Sequence, residues 1–355
     1  MRVQVLGMLG ALALAACGSE AGAPGTSAPP SSGGDDYEAP ASGGDPSASS
    51  PPAAQEAPAP PGPKLGAPYP IVLMHGMGGF GTLEVGPLDV TYFKGVVEDL
   101  TKNGESVFVT LAPPYATSEV RAQAVAEQID EILARTGKAK VNLIGHSQGG
   151  LDARVLASPN GLGYGDRIAS VTTVATPHRG SKVADAVLGM LKYLPANQVD
   201  AITDAVLSLV QKTAYELDTD PALREQLVLL SEKHMKEVFN PKYVDDPNVV
   251  YKSYAGRSNL RTGLFACEGS TYPNDPTKLD AAQPALVPLA IFLEEGQLKV
   301  NDGLVTVESA KWGTFEQCVP ADHLKEVGHL APMAASFDHV QMFRDIVARI
   351  RKAGF

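Results

Sequence analysis

The chain has 355 residues, 44% hydrophobic and 19% charged, which is enough apolar material for a large core in one or two domains. A formal net charge of -11 argues against a nucleic-acid partner, because phosphate binding needs a basic patch. The basic residues near the C-terminus (Arg344, Arg349, Arg351, Lys352) interleave with acidic ones and read as a solvated helix face.

Met1-Arg2 is a short positive start, and Val3 to Ala16 is apolar. That run is too short to span a bilayer as a stable helix but has the length of a secretory leader. It ends in Leu14-Ala15-Ala16-Cys17, which resembles a bacterial lipobox. Residues 1–16 are then a lipoprotein signal peptide, and Cys17 is the lipidated first residue of the mature chain. Gly18 stands where an aspartate would favour inner-membrane retention; by resemblance to Gram-negative lipoproteins this points to the outer membrane or cell surface. Residues 17–67 are mostly Gly, Ala, Ser and Pro, and cannot bury enough apolar surface to offset the entropy of ordering. They read as a disordered tether with stiff proline patches, leading to a folded domain over 68–355. Cys267 and Cys318 are the remaining cysteines, and in an exported chain a disulfide between them is the default. Their glycine, proline and polar neighbours place both in loops. No zinc-like ligand cluster is visible.

The domain begins with the continuous apolar run Pro70 to Met74, a strand buried on both faces, followed by His75-Gly76-Met77-Gly78-Gly79. A helix is predicted over 91–103, a strand over Ser106 to Leu111, and an amphipathic helix over Thr117 to Arg135, ending before Gly137. Further strands are predicted over Val141 to Ile144, Ile168 to Val174 and Val249 to Tyr254. Strands alternating with helices imply a mostly parallel sheet with helices on both faces. Residues 181–240 read instead as consecutive helices without a strand, the pattern of a lid or cap.

Gly145-His146-Ser147-Gln148-Gly149 sits where a strand turns sharply into a helix. This is the G-x-S-x-G pattern of a nucleophile elbow. A tight strand–turn–helix strains the central backbone and exposes its side chain, while side chains two residues either way would collide with neighbouring backbone. The N-terminus of the helix beginning at Gln148 favours an oxyanion. Acyl transfer also needs an acid and a base, placed after the serine in this arrangement. Asp302, in an Asn-Asp-Gly turn, fits the acid. His323, in Ala-Asp-His-Leu-Lys, fits the base, with His329 a rival six residues on.

Together these stretches are similar to the true lipases of the Pseudomonas and Burkholderia type, an α/β-hydrolase family. The matching segments are YPIVLMHGMGG, VNLIGHSQGGLDARVLAS, VTTVATPHRGSKVAD, NDGLV and DHLKEVG, spanning about residues 69–330 in the family's order. The resemblance implies an α/β-hydrolase fold and a serine ester hydrolase, with Ser147 as nucleophile, Asp302 as acid and His323 as base. It also implies an oxyanion hole made by the backbone N–H groups of Met77 and Gln148, and an ester or lipid substrate. A polyester depolymerase or an acyltransferase would use the same triad, and a non-catalytic lipid-binding lipoprotein would not need it.

The chain departs from the family at two places. Many members hold a structural calcium near the catalytic histidine, with an aspartate two residues after it; here that residue is Lys325, and a further ligand position is His329. An ammonium repels a cation, so no metal and no cofactor are expected, with Lys325 pairing with an acid such as Asp280. The family's second cysteine also lies closer to NDGLV than Cys318 does. Family members often need a dedicated foldase, a partner that these departures leave open.

Overall fold

The first strand, β1 (Ile71–Met74), is buried throughout, and its side chains feed two cores in alternation. Val72 and Met74 join one, Ile71 and Leu73 the other. A strand covered on both sides needs apolar residues at every position, which explains the unbroken run. The computed structural model describes residues 64–79, 82–85, 88–209, 217, 219–258, 282–329 and 337–355, all within one compact unit, Ala59–Phe355. The leader, Cys17, nearly all of the expected tether, Cys267 and Asp280 lie outside the described residues.

After β1 come a small antiparallel hairpin, β2 (Thr82–Val85) and β3 (Leu88–Thr91), then α1 (Val96–Lys102), β4 (Val107–Thr110), α2 (Ser118–Thr136), β5 (Val141–His146), α3 (Gln148–Ala157) and β6 (Ile168–Val174). A run of helices follows: α4 (Lys182–Val187), α5 (Ala196–Leu209) and α6 (Pro221–Leu229). The alternation resumes with β7 (Val250–Gly256), α7 (Val287–Leu293), β8 (Thr314–Val319) and α8 (His339–Lys352). Six strands form one parallel sheet in the order β4-β1-β5-β6-β7-β8. Helices α2 and α3 cover one face through Ala122, Val125, Ile129 and Leu151. Helices α1 and α8 cover the other through Val96, Leu100, Phe343 and Ile346.

Helices α4 to α7 build an apolar cluster of their own around Val183, Ile202, Leu223 and Leu289. Asp220 caps α6 through its carboxylate, and Pro221 supplies a helix start with no N–H to satisfy. Met77, Leu304 and Leu324 pack against this cluster, so it lies over the C-terminal ends of the strands. No helix among the described residues is long and apolar enough to cross a membrane.

Three expectations shift. The helix predicted from residue 91 starts at Val96, because the chain first leaves β3 through a turn ending at Gly95 with φ of 72°. Cys318 lies in strand β8, not in a loop, where it pairs in register with Ala255 and is fully buried. It is disulfide-bonded. Residues assigned to the end of the tether are already in the domain: Leu65 donates to Gly137 O and accepts from Ala139 N, both at 2.8 Å.

The sharp turn between β5 and α3 depends on two missing methyl groups. A Cβ on Gly149 would lie 2.4 Å from the Met74 carbonyl oxygen, and one on Gly145 would lie 2.5 Å from the Gly150 nitrogen. Both obstacles are backbone, so neither moves cheaply. Gly149→Ala is therefore expected to cost about 1–3 kcal/mol and lower the thermal unfolding midpoint by several degrees. Gly66→Ala, with nothing near its added methyl, leaves the midpoint unchanged; equal midpoints for both variants would contradict this account of the turn.

Candidate active site

Ser147 sits between β5 and α3 at φ 55° and ψ −127°, a conformation that a non-glycine residue adopts only when its surroundings impose it. The Ser147 N–H donates to Val174 O at 2.9 Å, which holds the turn against β6. Ser147 lines a cavity of about 300 Å³, whose walls include Val183, Val206, Leu227 and Leu230 from the helical cluster and its edges. His323 lines the same cavity.

Asp302 and His323 come from different loops and meet there. His323 Nδ1 donates to Asp302 Oδ2 at 2.8 Å. The other carboxylate oxygen is occupied by its own turn, accepting from the N–H groups of Leu304 at 2.8 Å and Val305 at 2.7 Å. The main chains are joined as well, His323 N–H to Asp302 O at 3.0 Å. The Asp302 side chain is 1% exposed and that of His323 6%, so solvent competes little for their bond. The Nε2 edge is left for a hydroxyl. The Ser147 hydroxyl makes no hydrogen bond to His323 in this conformation; such bonds often tighten only when substrate binds. His329 also lines the cavity, but it is His323 that bonds Asp302.

The loop after β1 lies directly against the serine: a Cβ on Gly76 would be 2.8 Å from Ser147 Cβ. Its orientation is set by two side chains. His75 Nε2 accepts from Ala112 N at 3.1 Å, so the proton is on Nδ1, which donates to Gly76 O at 2.9 Å. Burial, and then the nearby Arg121 charge, lower His75 to about 4, which keeps it neutral. Arg121, fully buried on α2, donates to His75 O at 2.6 Å, Gly76 O at 3.3 Å and Pro113 O at 2.7 Å. Its Nε donates to Asp152 Oδ2 at 2.7 Å on α3. A trans peptide carries its C=O and N–H on opposite sides. Gripping the Gly76 carbonyl therefore turns the Met77 N–H the other way. The neighbouring donors are engaged, Gly76 N–H with Tyr92 Oη and Gly78 N–H with Pro114 O. Among the described residues, no acceptor takes the N–H of Met77 or of Gln148. The Gln148 side chain is anchored, donating to Ala116 O at 2.9 Å and accepting from Gln226 of α6 at 2.6 Å.

A second polar chain runs beside the first. Tyr92 Oη and His146 Nδ1 are 2.7 Å apart, and His146 Nε2 and Glu326 Oε2 are 3.2 Å apart. The His146 and His323 rings lie 4.7 Å apart between centroids. Burial, then the negative charges of Asp302 and Asp322, push Glu326 well above the usual carboxylate range. Burial also lowers His146 far below the usual imidazole range. Burial thus disfavours the charged form of each partner in this contact. His146, His323 and Glu326 form the one grouping among the described residues with metal-ligand spacing.

Of the sequence-predicted residues, Ser147, His323 and Met77 line one cavity, Asp302 is bonded to His323, and Gln148 follows Ser147 in the chain. Arg121, Tyr92 and Glu326 were not singled out in the sequence. Arg121→Lys keeps a charge for Asp152 but cannot reach three carbonyls. It is expected to stay folded while kcat toward a p-nitrophenyl ester falls roughly 10²-fold, with KM little changed; wild-type kcat would contradict the role given to Arg121.

The comparisons agree with this geometry. Residues 69–278 match the family model for the alpha/beta hydrolase fold. A triacylglycerol lipase of Vibrio cholerae is 31% identical over 293 residues, covering 81% of this chain and 88% of its own. A triacylglycerol lipase of Pseudomonas fragi is 27% identical over 298 residues, covering 81% and 97%. Among solved structures, lipase 1 of Pelosinus fermentans shares the fold with a TM-score of 0.54 at 16% identity, covering 79% of this chain and 98% of its own. The chain belongs to the α/β-hydrolase family, among the bacterial lipases of the Pseudomonas and Burkholderia type.

Proposed function

We propose that this chain hydrolyses carboxylic esters of lipids through an acyl-enzyme on Ser147, with His323 as general base, Asp302 as its partner, and the N–H groups of Met77 and Gln148 as oxyanion donors. The observation that carries the reading is the buried 2.8 Å bond from His323 Nδ1 to Asp302, which fixes the tautomer and leaves Nε2 facing the cavity that Ser147 lines.

In the first half-reaction, His323 Nε2 takes the Ser147 proton as Oγ attacks the ester carbonyl. Asp302 stabilises the imidazolium that results. The carbonyl oxygen gains charge and is met by two donors that are already oriented; losing one such donor typically costs about 3–4 kcal/mol of barrier. The imidazolium then gives its proton to the leaving alcohol. Water, activated by the same histidine, releases the acid. The apolar cavity wall of Val183, Val206, Leu227 and Leu304 suits an acyl chain, and the names of the Vibrio and Pseudomonas relatives support a lipid ester.

The reading extends to the N-terminus. Cys17 carries the lipid that tethers the domain to the outer membrane or cell surface, and Cys267 is the disulfide partner of Cys318. The lipobox-like sequence and the bonded state of Cys318 support these assignments.

Ser147→Ala is expected to abolish p-nitrophenyl ester hydrolysis and fluorophosphonate labelling with an unchanged thermal midpoint, and Asp302→Asn to lower kcat by roughly 10⁴. Full activity in the serine variant would end the proposal. In cells, Cys17→Ser is expected to move the protein from the membrane to the soluble fraction; unchanged membrane retention would refute the anchor.

A further inference from the structure

The loop that carries His323 is tied down by the carboxylate of its neighbour. Asp322 is fully buried, and its partners are N–H donors. Oδ1 accepts from the backbone N–H of Leu324 at 3.1 Å and of Lys325 at 2.9 Å, and from Gln283 Nε2 at 3.4 Å. Oδ2 accepts from Gln283 N–H at 2.8 Å and lies 3.6 Å from Lys325 Nζ. Gln283 Nε2 also donates to His329 O at 2.7 Å. These bonds fix the backbone just after His323 and join it to the segment entering α7. A carboxylate removed from water needs compensating charge, and a buried ammonium needs the same in return. Lys325 is 8% exposed.

The family resemblance implies a calcium ion in this neighbourhood. Calcium takes roughly six to eight oxygen ligands. Here the carboxylate is enclosed by N–H donors, and an ammonium stands where an acidic ligand is expected. That is the donor set of an anion's pocket, and it does not fit the ion.

We propose that Lys325 is a positioning residue: its ammonium neutralises Asp322 from within the chain and holds the His323 loop, so that ester hydrolysis by this protein requires no divalent cation. The proposal rests on His323 being the base.

The test uses the full chain, with p-nitrophenyl butyrate kinetics and thermal midpoints. For the wild type, neither EDTA nor millimolar calcium chloride changes kcat or the midpoint. Lys325→Met lowers kcat by roughly tenfold with KM nearly constant, and Lys325→Arg restores most of it. Adding Asp322→Asn to Lys325→Met recovers part of the loss, because an amide needs no counter-charge; this coupling is not expected of a lysine that only fills space. Activity lost to EDTA and restored by calcium would overturn the proposal. So would Lys325→Met with wild-type kcat, or losses in the double variant that simply add. If Lys325→Met does not fold, the chelator measurement on the wild type decides. Hydrolysis that survives Ser147→Ala removes the underlying reading, whereas Ser147-dependent hydrolysis untouched by Lys325→Met removes the clamp alone.

Discussion

The backbone at Ser147 is the constraint on which the site depends. A serine at φ 55° is held there because the start of α3 packs so closely against the end of β1 and against β5 that only glycine fits at 149 and 145. The same approach brings the loop after β1 against the serine, so the nucleophile and one expected oxyanion donor are placed by a single packing contact. The second donor, the Gln148 N–H, is the first of the helix that the turn starts, where the helix dipole also favours negative charge. Strain in the turn is thereby converted into position.

Around that turn the charges are kept few. His75, His146 and Glu326 are all pushed toward their neutral forms, chiefly by burial. They serve as hydrogen-bonding spacers between the loop after β1, the elbow and the histidine loop. Two charge pairs inside are held by geometry: Arg121 with Asp152 at 2.7 Å, and Asp322 with Lys325 at 3.6 Å. An acid that stayed ionised beside Asp302 would compete for the imidazolium formed in the reaction. Pushing Glu326 toward its neutral form favours Asp302 as the charge that His323 meets.

Much of this was legible in the sequence where one physical demand dominates. Strand β6 was placed to the residue, because Ile168–Val174 is buried on both faces. Strand β8 was missed, because an edge strand is only half covered: Thr314 is exposed and Phe315 and Glu316 are partly so, which hides the apolar pattern and led Cys318 to be read as a loop residue. The nucleophile turn could be read because its glycines are forced. The hydrogen bonds behind it could not, since Tyr92, His146 and Glu326 lie far apart along the chain. Arg121 did carry a signal: it falls one turn before Val125, on the apolar stripe of α2, where a charge must have a partner. The family resemblance added the Met77 donor, which no local pattern specifies.

The most direct measurement is a crystal structure of the protein after reaction with a phosphonate ester, whose tetrahedral phosphorus stands in for the attacked carbonyl. The account predicts phosphorus bonded to Ser147 Oγ, His323 Nε2 within hydrogen-bonding reach of the ester oxygens, and the phosphoryl oxygen about 2.7–3.1 Å from the N–H groups of both Met77 and Gln148. An adduct on another residue, or a phosphoryl oxygen turned away from those two donors, would contradict it.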